Sequence, residues 1–430
     1  MEFNSREIVY GMLTETLENG AFSQHVISDA LNKYGPDRRE RSFITRLYLG
    51  VLERLIYLDH ILNSVSSVKT VKMKLPVLII LRMGLYQMIF MDSVPDHAAV
   101  NESLKLAQNH GFKGLKSFIN GVLRAASAKL AEDKYYFEKD MPDNVRLSVP
   151  KWIFNEVEKG FGREAAEGFF LGALNGNKEV FFHINPLKAG KDEAVDVLQR
   201  EGCSVKCYDE IRGIYCMEGF SSLTFLKAYK EGMIFIQNPG SAAAAFMALN
   251  TLKTEKPFVI DVCAAPGGKS VYLAERLPGA RIISRDRSEE KIALIKENAE
   301  RLGLSNIFPE VFDAREEDPE NFQKADLVIA DLPCSGLGII GEKPDIKLRI
   351  KEKEISSLSQ LQRDILRPCA GLLKNGGSLV FSTCTLTGAE NAENSDWIEA
   401  ELKLSKKDEL KRLPSDGTDG FYIAVFEKNE

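Results

Sequence analysis

The stretch Phe258-Val259-Ile260-Asp261-Val262-Cys263-Ala264-Ala265-Pro266-Gly267-Gly268-Lys269-Ser270 runs from an apolar segment through a glycine turn into a helical one. A short apolar run bounded by turn residues is consistent with a strand buried on both faces. Further apolar runs at Arg281–Ser284, Leu327–Ala330 and Ser378–Ser382 are separated by helical stretches such as Glu289–Leu302 and Ser356–Leu373. This alternation predicts an α/β fold from about residue 255 onward, with a parallel, doubly wound sheet covered on both faces. Ligands of such sheets bind beyond the carboxyl ends of the strands. The motifs described next all fall at such ends.

In the turn itself, Pro266-Gly267-Gly268 lets the backbone bend sharply and approach a ligand, because glycine tolerates conformations that other residues avoid. The helix behind it offers free N–H groups to an anion such as a carboxylate. The pattern is neither GxxxxGK[ST] nor GxGxxG, which disfavours ATP and dinucleotides. Asp286 follows the next strand, where a carboxylate can accept hydrogen bonds from ribose hydroxyls. Asp313 follows the apolar segment after that, within reach of an adenine edge. A structural turn with two capping aspartates is the plain alternative.

Two cysteines stand just after apolar strands: Cys334 in Asp331-Leu332-Pro333-Cys334-Ser335, and Cys384 at the end of Gly376-Gly377-Ser378-Leu379-Val380-Phe381-Ser382-Thr383-Cys384. A nucleotide-sized cofactor turn beside two such thiols suits methylation of a pyrimidine at carbon 5. That carbon is a poor nucleophile until a thiolate adds at carbon 6 and turns the ring into an enamine. A free thiol has a pKa near 8.5, so the site must favour the thiolate. Asp331 is a candidate acid near the ring nitrogen. Methyltransferases acting on exocyclic amines use an Asn/Asp-Pro-Pro-aromatic loop, and here a thiol replaces the stacking aromatic. Spacing alone leaves open which cysteine attacks.

With 430 residues, 44% hydrophobic and 27% charged, the chain is long enough for several cores. Residues 1 to about 130 read as all helix, from repeats such as Ile8, Met12, Leu13, Leu17 and Ile44, Leu47, Val51, Leu55. Leu75–Phe90 is apolar but interrupted by Arg82 and too short to span a bilayer, so a buried helix is expected. Ala131–Asp143, charged and Tyr-rich, is expected to be a linker. Residues 145–245 mix both periods, with strands expected at Val180–Asn185, Gly213–Cys216 and Met233–Gln237 around a helix at Asp192–Arg200. The expected domains are therefore 1–135, 145–245 and 246–430.

Seven cysteines without a CxxC pair suggest reduced thiols, no disulfide framework and no metal site. Cys203, Cys207, Cys216 and Cys369 are expected as small buried hydrophobes. Charged residues in Met1–Tyr10 argue against a secretory signal, and a cytoplasmic location is expected. A net charge of −6 and a pI of about 5.7 confine any RNA contact to local clusters. Arg38, Arg39, Arg41 and Arg46 form one such cluster, and Lys69, Lys72 and Lys74 another.

At these motifs the chain closely resembles the RNA cytosine-C5 methyltransferases of the Nol1/Nop2/Sun group, in particular those acting on bacterial 16S ribosomal RNA. The likeness extends to Leu85-Tyr86-Gln87, His97-Ala98-Ala99-Val100-Asn101-Glu102 and Asn120-Gly121-Val122-Leu123-Arg124, which are similar to a NusB-type RNA-binding domain. Pro150-Lys151-Trp152 matches the start of a small α+β, ferredoxin-like middle domain. Pro344-Asp345-Ile346-Lys347, Glu390-Asn391 and Asp419-Gly420-Phe421 complete the match.

The resemblance implies a Rossmann-like class I methyltransferase domain that uses S-adenosylmethionine. Cys263, Ala264, Ala265, Pro266, Gly267, Gly268, Lys269, Asp286, Asp313 and Asp331 would form the cofactor site. It assigns attack to Cys384 and product release to Cys334, and implies a monomer that methylates 16S rRNA at cytosine 967. Departures from the group are Asn238 after Gln237, Gly341-Glu342-Lys343 in place of an Arg-Arg-His run, and Leu348 in place of a tryptophan. They leave the cofactor and thiol residues intact. The alternatives are a transfer-RNA enzyme of the same group, or a NusB-like binding protein whose enzyme domain has decayed.

Overall fold

The helical periodicity of the first third folds into helices Ser5–Leu17, Ser23–Tyr34, Arg38–Glu53, Leu55–Val65, Leu75–Phe90, Asp96–Asn109 and Lys116–Glu132. The computed structural model describes residues 4–176, 179–220 and 222–429. It divides into two compact units: residues up to Asn155 together with Ile340–Arg349, and Glu156–Ile339 together with the chain from Ile350 onward.

In the first unit the helices pack around Leu13, Ile44, Leu47, Val51, Leu58, Ile80, Leu85 and Leu123. Leu75–Phe90 is the buried central helix. Its Arg82 donates from Nε and Nη2 to the two carboxylate oxygens of Asp59, each at 2.7 Å. Such a bidentate partner is what lets a guanidinium sit in an apolar helix. Ala131–Asp143 is not the free linker expected from its charge. Phe137 and Met141 are buried in the same core, and Tyr57 Oη donates to Glu138 at 2.9 Å. The aromatic and Met side chains gain more by burial than the charged residues lose by lying alongside.

Ile340–Arg349 falls within the region expected to form the third domain, yet it packs as a strap in the first unit. The helix Ser23–Tyr34 has no side-chain cap of its own. Asp345 provides one, accepting from the backbone N–H and the hydroxyl of Ser23. Lys347 Nζ donates to the carbonyl of Glu53, the last residue of the helix Arg38–Glu53, at 2.7 Å. An anion at a helix start complements the backbone dipole, and an amine donor at a helix end satisfies a carbonyl left without an intrahelical partner. Arg349 donates to the carbonyls of Gly20 and Ala21, and Leu348 packs on the helical core.

The second unit begins with a four-stranded antiparallel sheet. Its strands are β1 (Val180–Ile184), β2 (Ser204–Asp209), β3 (Ile214–Glu218) and β4 (Ile234–Ile236), in the order β2-β3-β1-β4. The helix Lys191–Arg200 links β1 to β2, and Lys227–Lys230 precedes β4. Strand β2 was not expected, because Ser204-Val205-Lys206-Cys207-Tyr208-Asp209 is a largely exposed edge with little apolar alternation. Its Cys207 is exposed, whereas Cys203, Cys216 and Cys369 are buried as expected.

The larger sheet has seven strands: β5 (Phe258–Asp261), β6 (Arg281–Asp286), β7 (Ile307–Val311), β8 (Ala325–Asp331), β9 (Leu373–Thr383), β10 (Leu404–Arg412) and β11 (Phe421–Lys428). Their order is β10-β11-β9-β8-β5-β6-β7. The five strands from β9 to β7 run parallel, with the chain reversing its direction of travel across the sheet at β5. The expectation of a wholly parallel sheet needs one correction, since β11 lies antiparallel to β9, and β10 to β11. Strand β10 escaped notice because Lys406, Lys407, Asp408, Glu409 and Lys411 give it the charges that guard a sheet edge.

Burial pushes the Lys347 ammonium down to about 7 from 10.5, against the opposing pull of Glu53. Between those values the unfolded chain binds a proton that the folded chain does not. This group therefore makes stability rise as pH increases from about 7 towards 10. Lys347→Met should flatten that rise, and urea unfolding of both proteins across this pH range measures it.

Candidate active site

The cofactor-type turn lies between β5 and the helix Gly268–Arg276. Ala264 O accepts from Gly267 N at 2.7 Å, and Gly267 has φ +105°, a left-handed conformation that side chains disfavour. No side chain caps the helix behind it, so its first N–H groups face outward for an anion. Asp261, at the end of β5, is fully buried. Its Oδ2 accepts from Ser270 Oγ at 2.8 Å, while Oδ1 has no partner. Burial raises its pKa to about 7, with Lys269 acting in the opposite sense. Burial likewise pushes the Cys263 thiol up.

At the ends of the next strands stand the two acids expected to hold a nucleoside. Asp286 is buried, with Lys291 Nζ 3.3 Å away. Asp313 is held by Arg315, whose Nε lies 2.9 Å from Oδ1 and whose Nη2 contacts Oδ2. The Arg315 hydrogen bond brings the Asp313 carboxyl down to about 2. Asp313 lines a groove of about 840 Å³ with Arg315, Asp318, Phe322, Asp364 and Arg367. Together, the outward helix start, the unpartnered buried carboxylate oxygen and Asp286 fit a nucleoside carrying an amino-acid end.

The other predicted residues meet at the ends of β8 and β9. Parallel register places Asp331 opposite Ser382. Asp331 Oδ1 accepts from Ser382 Oγ at 2.7 Å, and Oδ2 lies 2.5 Å from Lys269 Nζ. Lys269, nearly buried, also donates to Ser241 Oγ at 3.2 Å. Just beyond, Cys334 Sγ and Cys384 Sγ are 3.4 Å apart. The contact with Cys384, then burial and the charge of Glu390, push the Cys334 thiol well above the usual range. Gly338 N donates to Cys384 O at 2.9 Å. A Cβ on Gly338 would lie 2.1 Å from Gly420 O and 2.8 Å from Cys384 O, so only glycine fits beside this loop.

Several residues of this arrangement were not foreseen. Behind Lys269, Ser241 contacts Gln237 Nε2 at 3.4 Å, and Gln237 Oε1 lies 2.9 Å from His183 Nδ1. His183 Nε2 is in turn 2.8 Å from Glu275 Oε2, both side chains being inaccessible. The residue after Gln237 supplied a hint. Asn238 accepts from Gly240 N at 3.1 Å and caps the helix Pro239–Thr251, a task Asp and Asn perform about equally well. Among the described residues no group of three or more His, Cys, Asp or Glu is placed to hold a metal, and no helix is long and apolar enough to cross a membrane.

This combination of fold and site matches known proteins along the chain. Residues 246–427 match the family model for 16S rRNA methyltransferase RsmB/F, and residues 3–128 match the NusB family. A probable ribosomal RNA small subunit methyltransferase B of Bacillus subtilis is 34% identical over 98% of this chain and 98% of its own. A ribosomal RNA small subunit methyltransferase B of Proteus mirabilis is 27% identical, covering 99% of each. The crystal structure of PH0851 superposes with a TM-score of 0.80 at 22% identity over the full length of both chains. That of NSun6 from Pyrococcus horikoshii gives 0.59 at 20% identity, covering 65% of this chain and 98% of the other. The two structures establish the fold. The chain belongs to the RsmB/F family of 16S rRNA methyltransferases.

Gly338→Ala should force the Gly420 and Cys384 carbonyls apart and displace the Cys384 loop. The expected result is a methyl-transfer rate lower by about a hundred-fold, the order that a 1 Å misplacement costs. A tritium-transfer assay beside a thermal melt measures it. Wild-type rate would mean that the loop yields without consequence.

Proposed function

We propose that this protein methylates carbon 5 of a cytosine in 16S rRNA, with cytosine 967 the expected nucleotide, through a covalent cysteine–RNA intermediate. The observation that carries the proposal is the pair of thiols 3.4 Å apart, next to an aspartate held by a buried lysine. The cofactor is S-adenosylmethionine, which supplies an electrophilic methyl group when bound. The N–H groups at the start of Gly268–Arg276 would receive its carboxylate, the free oxygen of Asp261 its amino group, and Asp286 its ribose. Asp313, already paired with Arg315, lies near the expected adenine edge.

The two cysteines divide the work. Of two thiols in contact, ionisation of one opposes ionisation of the other. The contact with Cys384 and burial favour the protonated form of Cys334, which accords with the assignment of attack to Cys384 that the family resemblance gives. The Cys384 sulfur forms a bond to carbon 6 of the cytosine, and the ring's π electrons move towards N3. Asp331, fixed by Lys269 and Ser382, is the candidate acid at that nitrogen, relaying to it a proton that the Lys269 ammonium supplies. The electron-rich carbon 5 then takes up the methyl group. In the last step water takes the carbon-5 proton, the electrons of that bond restore the ring double bond as the carbon 6–sulfur bond breaks, and the protonated Cys334 assists release by hydrogen-bonding to the departing Cys384 thiolate. The NusB-type unit and its exposed Arg38, Arg39 and Arg41 would bind RNA. Presence of every reactive residue argues against a decayed enzyme domain.

Asp286→Ala should weaken S-adenosylmethionine binding by the about 1.5–3 kcal/mol typical of a hydrogen bond to a charged group. Calorimetry on the full chain reads this directly, and unchanged affinity would remove Asp286 from the site.

Cys384→Ala should abolish both methyl transfer and any covalent adduct with a 16S rRNA transcript. Cys334→Ala should still attack, then stall with RNA attached through denaturing electrophoresis. The opposite pattern would exchange the two roles, and full activity of both variants would sink the thiol mechanism. Bisulfite mapping of the product names the nucleotide.

A further inference from the structure

Behind the two thiols lies a carboxylate to which the reaction above gives no part. Glu390 is inaccessible to solvent, and among the described residues no lysine, arginine or histidine pairs with it. Hydrogen-bond donors surround it instead. Its Oε1 accepts from Ser335 N at 2.8 Å, and its Oε2 accepts from Ser335 Oγ at 2.6 Å and from Thr387 Oγ1 at 2.8 Å. Thr385 Oγ1 gives its proton to Ser335 Oγ at 2.5 Å and stands 3.5 Å from Oε2, and Gln362 Nε2 is 3.4 Å from Oε1.

These partners are not scattered. Ser335 follows Cys334, and Thr385 follows Cys384. One carboxylate therefore holds the Cys334 loop through Ser335 and the Cys384 loop through Thr387, and the Ser335 it holds is bonded to Thr385. The braces around it converge on the same two loops. Gln362 Nε2 also donates to Pro333 O at 3.0 Å, just before Cys334, and Asn391 Nδ2 donates to Thr385 O at 3.0 Å. Asn394 Nδ2 in turn fixes Gln362 Oε1 at 2.6 Å.

A buried carboxylate without a counter-charge is a costly way to fill space, and an apolar side chain would serve packing alone better. Its location explains what the cost secures. Neither loop belongs to regular structure at its cysteine, and nothing in the β8–β9 ladder fixes how far apart the two sulfur atoms stand. Besides the Gly338 N–Cys384 O bond, the donors converging on Glu390 join the two loops. We propose that Glu390 is a positioning residue of the methyl-transfer reaction, tying the two cysteine loops together so that both thiols address one base. The proposal rests on the thiol mechanism above, and the first half of its test is independent of that mechanism.

Phenylarsine oxide, a trivalent arsenical that bridges two neighbouring thiols with loss of water, reports their spacing on the free enzyme without RNA. It should protect Cys334 and Cys384 together from iodoacetamide in the wild-type protein and in Glu390→Gln, which keeps an oxygen facing Ser335 N. Protection should be lost in Glu390→Ala. In methyl transfer to a 16S rRNA transcript, Glu390→Ala should lose about a hundred-fold in kcat with KM for S-adenosylmethionine unchanged, and Glu390→Gln should recover to within about ten-fold of wild type.

Should Glu390→Ala fail to fold, Thr387→Val removes the bond from Thr387 Oγ1 to Glu390 Oε2 and the one that Oγ1 accepts from Glu390 N, and should show the same pattern at about a ten-fold loss in kcat. Joint arsenical protection surviving in Glu390→Ala, or wild-type kcat in that variant, would overturn the proposal. Loss of protection together with an active Cys384→Ala would leave the grip standing and overturn the mechanism it was meant to serve.

Discussion

Everything at the site depends on one pairing, the parallel register that sets Asp331 of β8 opposite Ser382 of β9. In a parallel sheet, neighbouring strands end on the same side, so the loops after β8 and β9 emerge together although their cysteines are 50 residues apart in sequence. A hydrogen bond from Ser382 to Asp331 fixes the ends of the two strands against each other. Lys269, from the turn after β5, closes the third side. A slip of one residue would turn Asp331 to the opposite face of the sheet and separate it from both partners.

Electrostatics then give the three acids near this point different characters. Asp331 faces a lysine and a hydroxyl. Asp261 has lost most of its water and is raised to about 7. Asp313, on the surface, shares its charge with Arg315 and falls to about 2. Burial thus sets the character of Asp261, and a hydrogen-bonded guanidinium that of Asp313.

Much of this was legible in the chain. The glycine turn announced itself because few residues other than glycine accept the Gly267 conformation, and the buried parallel strands are unbroken apolar runs. The acids and thiols stand out because they follow such runs directly. What remained hidden follows a common rule: the sequence shows charge but not the direction in which it points. Pro344-Asp345-Ile346-Lys347 has the composition of a solvated loop, yet Asp345 and Lys347 turn inward to cap two helices. Strand β10 carries its charges outward and so lacks an apolar signature. The chain of Glu275, His183, Gln237 and Ser241 behind Lys269 draws on a strand, a loop and two helices, and no local pattern joins them all.

The strap also bears on how the chain is made. Protein domains generally fold in order as they leave the ribosome, the N-terminal one first. Here the helix Ser23–Tyr34 waits for a cap, and the helix Arg38–Glu53 for its terminal donor, that are translated only after β8 and the Cys334 loop. The helical unit therefore cannot reach its final form until strands β5 to β8 of the sheet have been translated. A gene cut between the two halves would yield an N-terminal fragment lacking part of its own structure. Synthesis of the helical unit thus includes synthesis of the loop that bears Cys334.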